Sequence, residues 1–147
     1  MDTEVGMTNI SMIVNFFQKD GHMDIKSIGA GVYIIELSRV DYPLVEPLPL
    51  YIGQSVYMAK RCGEHLYEFI KEPEYFGLKT EDLANDMLVL TIRVLEPFPD
   101  GISEKLYEKE KKLIKKYKPR TQSYSSDRQI KEKLNIVQGE MKQLWYK

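Results

Sequence analysis

The stretch LPLYIGQS, from Leu48 to Ser55, closes an apolar run with a tyrosine, an isoleucine and a glycine, and a polar pair follows them. Aromatic and β-branched residues favour strands, so the stretch predicts a short strand that ends near Gly53. Helical spacing of apolar residues begins directly afterwards. Whether the stretch is an ordinary strand or borders an active site depends on matching residues elsewhere in the chain.

Two more segments have strand composition. Gly29 to Leu37 reads GAGVYIIEL, and Met87 to Glu96 reads MLVLTIRVLE. The second is apolar on both faces, which is typical of a central strand. Three prolines between Ser38 and Pro49 predict an extended loop between the first two strands.

Four segments have the spacing of apolar residues that predicts helices: about Thr8–Gln18, Val56–Lys71, Ser103–Tyr117 and Asp127–Lys147. The pattern predicts an α+β fold, in which a small central three-stranded sheet is flanked by helices. We expect a single domain, 1–147, made of a core at 29–122, an N-terminal helical extension at 1–28 and a C-terminal helix at 123–147.

Composition excludes several classes of protein. The chain has 147 residues and a net charge of -1, so no global basic field indicates a nucleic-acid partner, although local patches can still bind phosphate. The one cysteine, Cys62, excludes an internal disulfide and a thiolate zinc site. Because no apolar run approaches the roughly 20 residues of a membrane span and no basic leader precedes an apolar segment, we expect a cytoplasmic protein.

Residues suited to phosphate chemistry follow the second strand. Arg61 and His65 are four residues apart, so they share one face of the predicted helix. A guanidinium can bind two phosphate oxygens while an imidazole offers a proton or a hydrogen bond. The later segment EKEKKLIKKYKPRTQ, Glu108 to Gln122, is rich in lysine, which indicates either a solvated helix face or a surface that follows a phosphate backbone.

In their order, these elements resemble the GIY-YIG nuclease family between Gly31 and Gln122. The resemblance rests on GVY at 31–33, YIG at 51–53, the Arg-x-x-x-His helix, a glutamate on the last core helix and a terminal amide. Each element alone is weak, since tyrosines are common in strands and charged helices are common on surfaces. The 17 residues between Tyr33 and Tyr51 are more than in the commoner members and point to the restriction-endonuclease branch.

The resemblance implies a catalytic set: Tyr33, Tyr51, Arg61, His65, Glu110 and Gln122. Glu110 stands four residues before Ile114, as the family glutamate does, so it is the implied ligand of one Mg²⁺ or Mn²⁺ ion, and Glu108 is the second choice. Gln122 stands where the family has asparagine. The implied nucleic-acid-binding residues are Gly53, Gln54, Ser55, Lys60, Lys112, Lys115, Lys116 and Arg120.

The resemblance implies a divalent-metal-dependent endonuclease that hydrolyses DNA phosphodiester bonds. The alternative is a non-catalytic DNA-binding or scaffold module of the same fold. In the last predicted helix, one face is apolar, and we expect it to be covered by the core or by a second copy in a homodimer. That face consists of Ile130, Leu134, Val137, Met141 and Leu144.

Overall fold

The computed structural model describes residues 10–15, 29–98, 104–122 and 127–145. Its strands are β1 (Ser11–Asn15), β2 (Gly31–Arg39), β3 (Leu48–Ser55) and β4 (Leu88–Pro97). Its helices are α1 (Met58–Lys71), α2 (Glu104–Tyr117) and α3 (Asp127–Trp145), and two short 3₁₀ turns span Pro73–Phe76 and Thr80–Ala84. The fold is therefore α+β, as predicted.

The strands form one mixed sheet in the order β1-β4-β2-β3. β2 pairs antiparallel with both β3 and β4, and β1 pairs parallel with β4. The central position predicted for the β4 segment is confirmed, because this strand lies between β1 and β2. Among the described strands, β1 and β3 lie at the edges.

The helix predicted for Thr8 to Gln18 is wrong within the described residues, because Ser11 to Asn15 form β1. Within the described residues the sheet therefore has four strands rather than three, and one of them precedes residue 29. Ser11 pairs with Val89, and the ladder continues along the edge that β4 would otherwise leave open. The rest of the predicted helical extension, residues 1–9 and 16–28, lies outside the described residues.

Helices cover both faces of the sheet. On one face, α1 and α3 enclose a core that contains Tyr33, Phe69 and Met141. On the other face, Leu106 of α2 packs against a smaller core that includes Ile34. None of the helices in the described part of the chain is long and apolar enough to cross a membrane.

In α3, the packed face is rotated relative to the predicted one. Val137, Met141 and Trp145 are buried, and Lys133 shares their face because these residues are four apart. The prediction that Val137 and Met141 are covered is confirmed, and the core of the same chain covers them. The other members of the predicted face, Ile130, Leu134 and Leu144, are half-buried. Homodimerisation through α3 stays a prediction.

Gly77 fixes α3 against the rest of the domain. It has a positive φ of 77°, and a methyl group there would overlap the Val137 side chain and approach the Lys133 carbonyl. The Gln138 side chain donates to the Gly77 carbonyl at 3.1 Å and to the Asp82 carboxylate at 2.8 Å. The helix therefore rests directly on backbone that only glycine allows to come so close.

We expect Gly77→Ala to lower the free energy of unfolding by about 1–3 kcal/mol, because alanine is strained at this φ and overlaps α3. Gly139→Ala is the matched control, since Gly139 lies inside α3 with no heavy atom near its missing Cβ. That control should gain about 0.5–1 kcal/mol from helix propensity. Urea unfolding of both variants measures the difference, and equal stabilities would contradict the close contact at Gly77.

Candidate active site

The pairing of β2 with β3 places the two tyrosines on one face of the sheet. Tyr33 lies opposite Gly53, and Tyr51 lies opposite Ile35. The ring centroids of Tyr33 and Tyr51 are 6.4 Å apart. Any side chain at Gly53 would overlap the Tyr33 ring, so this glycine makes room for it. Gly53 is buried and has a packing role here; DNA binding by it stays a prediction.

His65 joins the two strands to α1. Its Nε2 lies 2.7 Å from the Tyr33 hydroxyl, and its ring centroid lies 5.2 Å from that of Tyr51. Phe76 contacts the imidazole edge-on at 5.8 Å. The helix periodicity explains the placement, since Cys62, His65 and Phe69 form the buried face of α1.

The environment of His65 favours the neutral imidazole. Burial, and secondarily the charge of Arg61, lower the pKa of His65 from 6.5 to about 4. In the tautomer with an unprotonated Nε2, the Tyr33 hydroxyl donates to that nitrogen. Within the described part of the chain, the buried Nδ1 has no hydrogen-bond partner. It is therefore available to a water or to an oxygen of a ligand.

Both tyrosines are held as protonated phenols. Burial raises the pKa of Tyr33 far above its usual value, and the neighbouring Tyr51 adds to the effect. Burial likewise raises the pKa of Tyr51. The positive charge of Arg61 opposes both shifts. The charge of Arg61 therefore acts on both phenol groups.

Arg61 is partly exposed and balanced by acids of its own helix. Its Nη1 lies 3.7 Å from the Glu64 carboxylate and 3.4 Å from the Glu68 carboxylate. Ion pairs with this degree of exposure contribute about 0–1 kcal/mol to the stability of the fold. The guanidinium can therefore exchange them for another anion at little cost.

These residues border an open cleft of about 510 Å³. Its lining consists of Tyr51, Arg61, His65, Glu68, Tyr75, Phe76, Glu110, Thr121, Gln122 and Lys133. Glu110 is half-buried, and burial raises the pKa of its carboxyl. Glu108, the second candidate, is exposed and does not line the cleft. The placement therefore favours Glu110 over Glu108.

The amide of Gln122 pairs with the backbone of β3. Its Oε1 accepts from the Ile52 N–H at 2.9 Å, and its Nε2 donates to the Ile52 carbonyl at 2.8 Å. Thr121 adds two bonds to the Leu50 carbonyl, from its backbone N–H at 2.7 Å and its hydroxyl at 2.6 Å. Thr121 and Gln122 thus hold β3 on either side of Tyr51.

The residues implied in nucleic-acid binding are spread over several surfaces. Lys60 on α1 and Lys112, Lys115 and Lys116 on α2 are exposed. Gln54 and Ser55 are half-buried, and the Ser55 hydroxyl accepts from the Tyr57 N–H at 3.0 Å.

Arg120 and Lys116 do not line the cleft. They border a second cavity, of about 600 Å³, together with Glu36 and Arg93. Arg120 binds both oxygens of the Glu140 carboxylate, at 2.6 and 3.2 Å. The structure therefore brings together the catalytic set, with Tyr33 joined to it through His65, but places Arg120 in an ion pair elsewhere.

Lys133 was missed by sequence reasoning. It comes from α3, outside the predicted core, and lines the cleft although the residue is only 4 % exposed. A lysine on a charged helix normally indicates a solvated surface. The available signal was its spacing, four residues before Val137 and eight before Met141 on the packed face.

Comparison with known proteins gives no relative: no protein-family model, no curated protein and no solved structure matches the chain. Function is therefore inferred from the cleft and from the residues that form it.

Acidification should destabilise the fold through His65. Between pH 6.5 and pH 4, His65 is protonated in the unfolded chain but stays neutral in the folded protein. The free energy of unfolding therefore falls as the pH is lowered through this window. The full effect is about 3 kcal/mol. His65→Gln keeps an acceptor for the Tyr33 hydroxyl but does not titrate. Thermal unfolding of both proteins across the window should show the extra loss in the parent alone; parallel pH curves would contradict it.

Proposed function

We propose that this protein is a divalent-metal-dependent endonuclease that hydrolyses DNA phosphodiester bonds. One observation carries the proposal: a single cleft collects Tyr51, Arg61, His65 and Glu110 from three different elements. These side chains are of the types that bind phosphate, orient water and hold a magnesium ion. The order of the same residues along the chain supports the GIY-YIG family as the closest type of mechanism.

Arg61 would bind the scissile phosphate. Its guanidinium presents several donors in a fork that fits two non-bridging oxygens, and it is permanently charged. Because the ion pairs of Arg61 with Glu64 and Glu68 are weak, Arg61 can give them up to bind a phosphate. The Arg61 guanidinium would then stabilise the negative charge that develops on the phosphoryl oxygens during attack.

The two tyrosines take different tasks in this proposal. Tyr51 lines the cleft, so its hydroxyl is the one that can contact the phosphate or the attacking water. Tyr33 is 0 % exposed and hydrogen-bonds with His65, so it acts through the imidazole rather than on the substrate. Tyr33 and Tyr51 therefore have different roles in this proposal, although the sequence motifs give no reason to distinguish them.

His65 would take part in proton movement. Its neutral form accepts a hydrogen bond from the Tyr33 hydroxyl at Nε2 and can bind a substrate oxygen at Nδ1. A phosphate anion in the cleft would counter the charge of Arg61 and raise the pKa of the imidazole. His65 would therefore become a better proton acceptor when substrate is bound.

Glu110 fits a site for one divalent ion. Among the described residues, no group of three or more His, Cys, Asp or Glu side chains is arranged to hold a metal. Magnesium needs no such cage, since it keeps several waters and takes one or two carboxylates together with substrate phosphate. Bound there, it would supply Lewis-acid stabilisation and a more acidic water. Glu110 borders the cleft without joining any ion pair found in the described ranges.

The outer face of α2 supports binding of a longer nucleic acid. One side of this helix, which carries Leu106, packs against the smaller core. The lysines on the opposite side are therefore exposed. Lysines that contact phosphates release counterions from DNA and so contribute affinity without sequence preference. The exposed set is Lys105, Lys111, Lys112, Lys115 and Lys116.

Glu110→Gln should abolish cleavage while leaving binding intact. The amide keeps the size of the side chain but removes the charge that would hold the ion, so we expect at least a hundredfold slower cleavage, about 3 kcal/mol of barrier. DNA affinity should be unchanged or improved, because a carboxylate near the phosphates is gone. Nicking of supercoiled plasmid with Mg²⁺ or Mn²⁺ measures the first effect, and fluorescence anisotropy measures the second.

Glu108→Gln is the matched control, because this exposed residue lies on the same helix outside the cleft. It should cleave at the parental rate. A dead Glu108→Gln with an active Glu110→Gln would reverse the assignment of the two glutamates. A parent that binds DNA but cuts nothing with either ion would favour the non-catalytic binding module instead.

A further inference from the structure

Lys133 is a charged side chain at a position that packing alone would fill with an apolar residue. Its neighbours at the same helical spacing, Val137, Met141 and Trp145, are all buried in the larger core. Burying an ammonium group is costly unless polar partners compensate for the lost water. Burial also lowers the pKa of Lys133, which reflects that cost.

The position of Lys133 in the cleft is held by rigid contacts. The turn from Lys133 to Val137 rests on Gly77, and Gln138 ties the same helix to Gly77 and Asp82. Further along, the Arg120–Glu140 pair joins α3 to the segment that carries Gln122. The position of Lys133 in the cleft is therefore fixed by the packing of α3 against the rest of the domain.

The lysine changes the balance of charge in the cleft. The charged residues of the lining are Arg61 and Lys133 against Glu68 and Glu110, and His65 is neutral. Without Lys133, the carboxylates would outnumber the cations, and the cleft would repel an anion. With it, the lining is balanced before any metal binds.

We propose that Lys133 is a second phosphate-binding cation of the cleft, which contacts a non-bridging oxygen of the DNA phosphodiester beside Arg61. This inference rests on the proposed nuclease function. A lysine ammonium is a compact charge with three donors, so it complements the planar fork of Arg61 on a tetrahedral phosphate. α3 would then belong to the active site, although it lies beyond the segment that resembles the family.

Lys133→Met tests the inference, because methionine keeps an unbranched side chain of similar length but removes the charge. A cooperative thermal unfolding transition shows that the variant is folded. Cleavage of supercoiled plasmid under single-turnover conditions should be at least about tenfold slower, as expected for loss of a cation at the developing phosphoryl charge. Should Lys133→Met fail to fold, Lys133→Gln takes its place.

Lys131→Met is the matched control, since Lys131 lies on α3 but is exposed and does not line the cleft. It should cleave at the parental rate. In a second assay, a short labelled duplex is bound in Ca²⁺ over a range of salt concentrations. Loss of one phosphate contact should reduce the slope of log affinity against log salt by about 0.9 for Lys133→Met.

The outcomes separate the two proposals. If the parent cleaves and Lys133→Met cleaves equally fast, the role of Lys133 is overturned and the nuclease stands. If the parent binds but does not cleave, the nuclease falls and the salt slope decides: a reduced slope supports the phosphate contact, and an unchanged slope overturns it. If the parent neither cleaves nor binds DNA, both proposals are overturned.

Discussion

The candidate site depends on the register between β2 and β3, in which Tyr33 lies across Gly53. A shift of β3 by one residue would turn Tyr51 to the face of the sheet opposite Tyr33, because β2 is held by its pairing with β4. The register is specified because Val32, Ile34 and Ile52 fill the core on that opposite face. Only a glycine at position 53 lets the Tyr33 ring pass over the neighbouring strand and reach His65.

The position of β3 at the edge of the sheet explains how helices from two layers contribute to one cleft. α1 packs on the larger core and supplies Arg61 and His65, whereas α2 packs on the smaller core and supplies Glu110. Side chains on opposite faces of a central strand would be separated by the sheet. Past an edge strand they can meet, with Tyr51 between them.

Much of the domain could be predicted from the sequence, because β2, β3 and β4 have local signals that agree with their final environment. β1 could not, since Ile10, Ile13 and Val14 fit a short helix as well as a strand, and the open edge of β4 that decides between them is remote in sequence. The motif residues could be placed together through the resemblance. Lys133 could not, because its spacing from Val137 and Met141 indicates the packed face of α3 but not that this face reaches the cleft.

The segment from Arg120 to Gln122 has a consequence for the behaviour of the protein at high concentration. An edge strand presents unpaired N–H and C=O groups that can recruit a strand from another molecule and begin aggregation. Here Arg120 and Thr121 donate to the outer carbonyls of Pro49 and Leu50, and the Gln122 amide occupies both backbone groups of Ile52 as a neighbouring strand would. The chain thus blocks intermolecular strand addition along this part of β3 without lengthening the sheet.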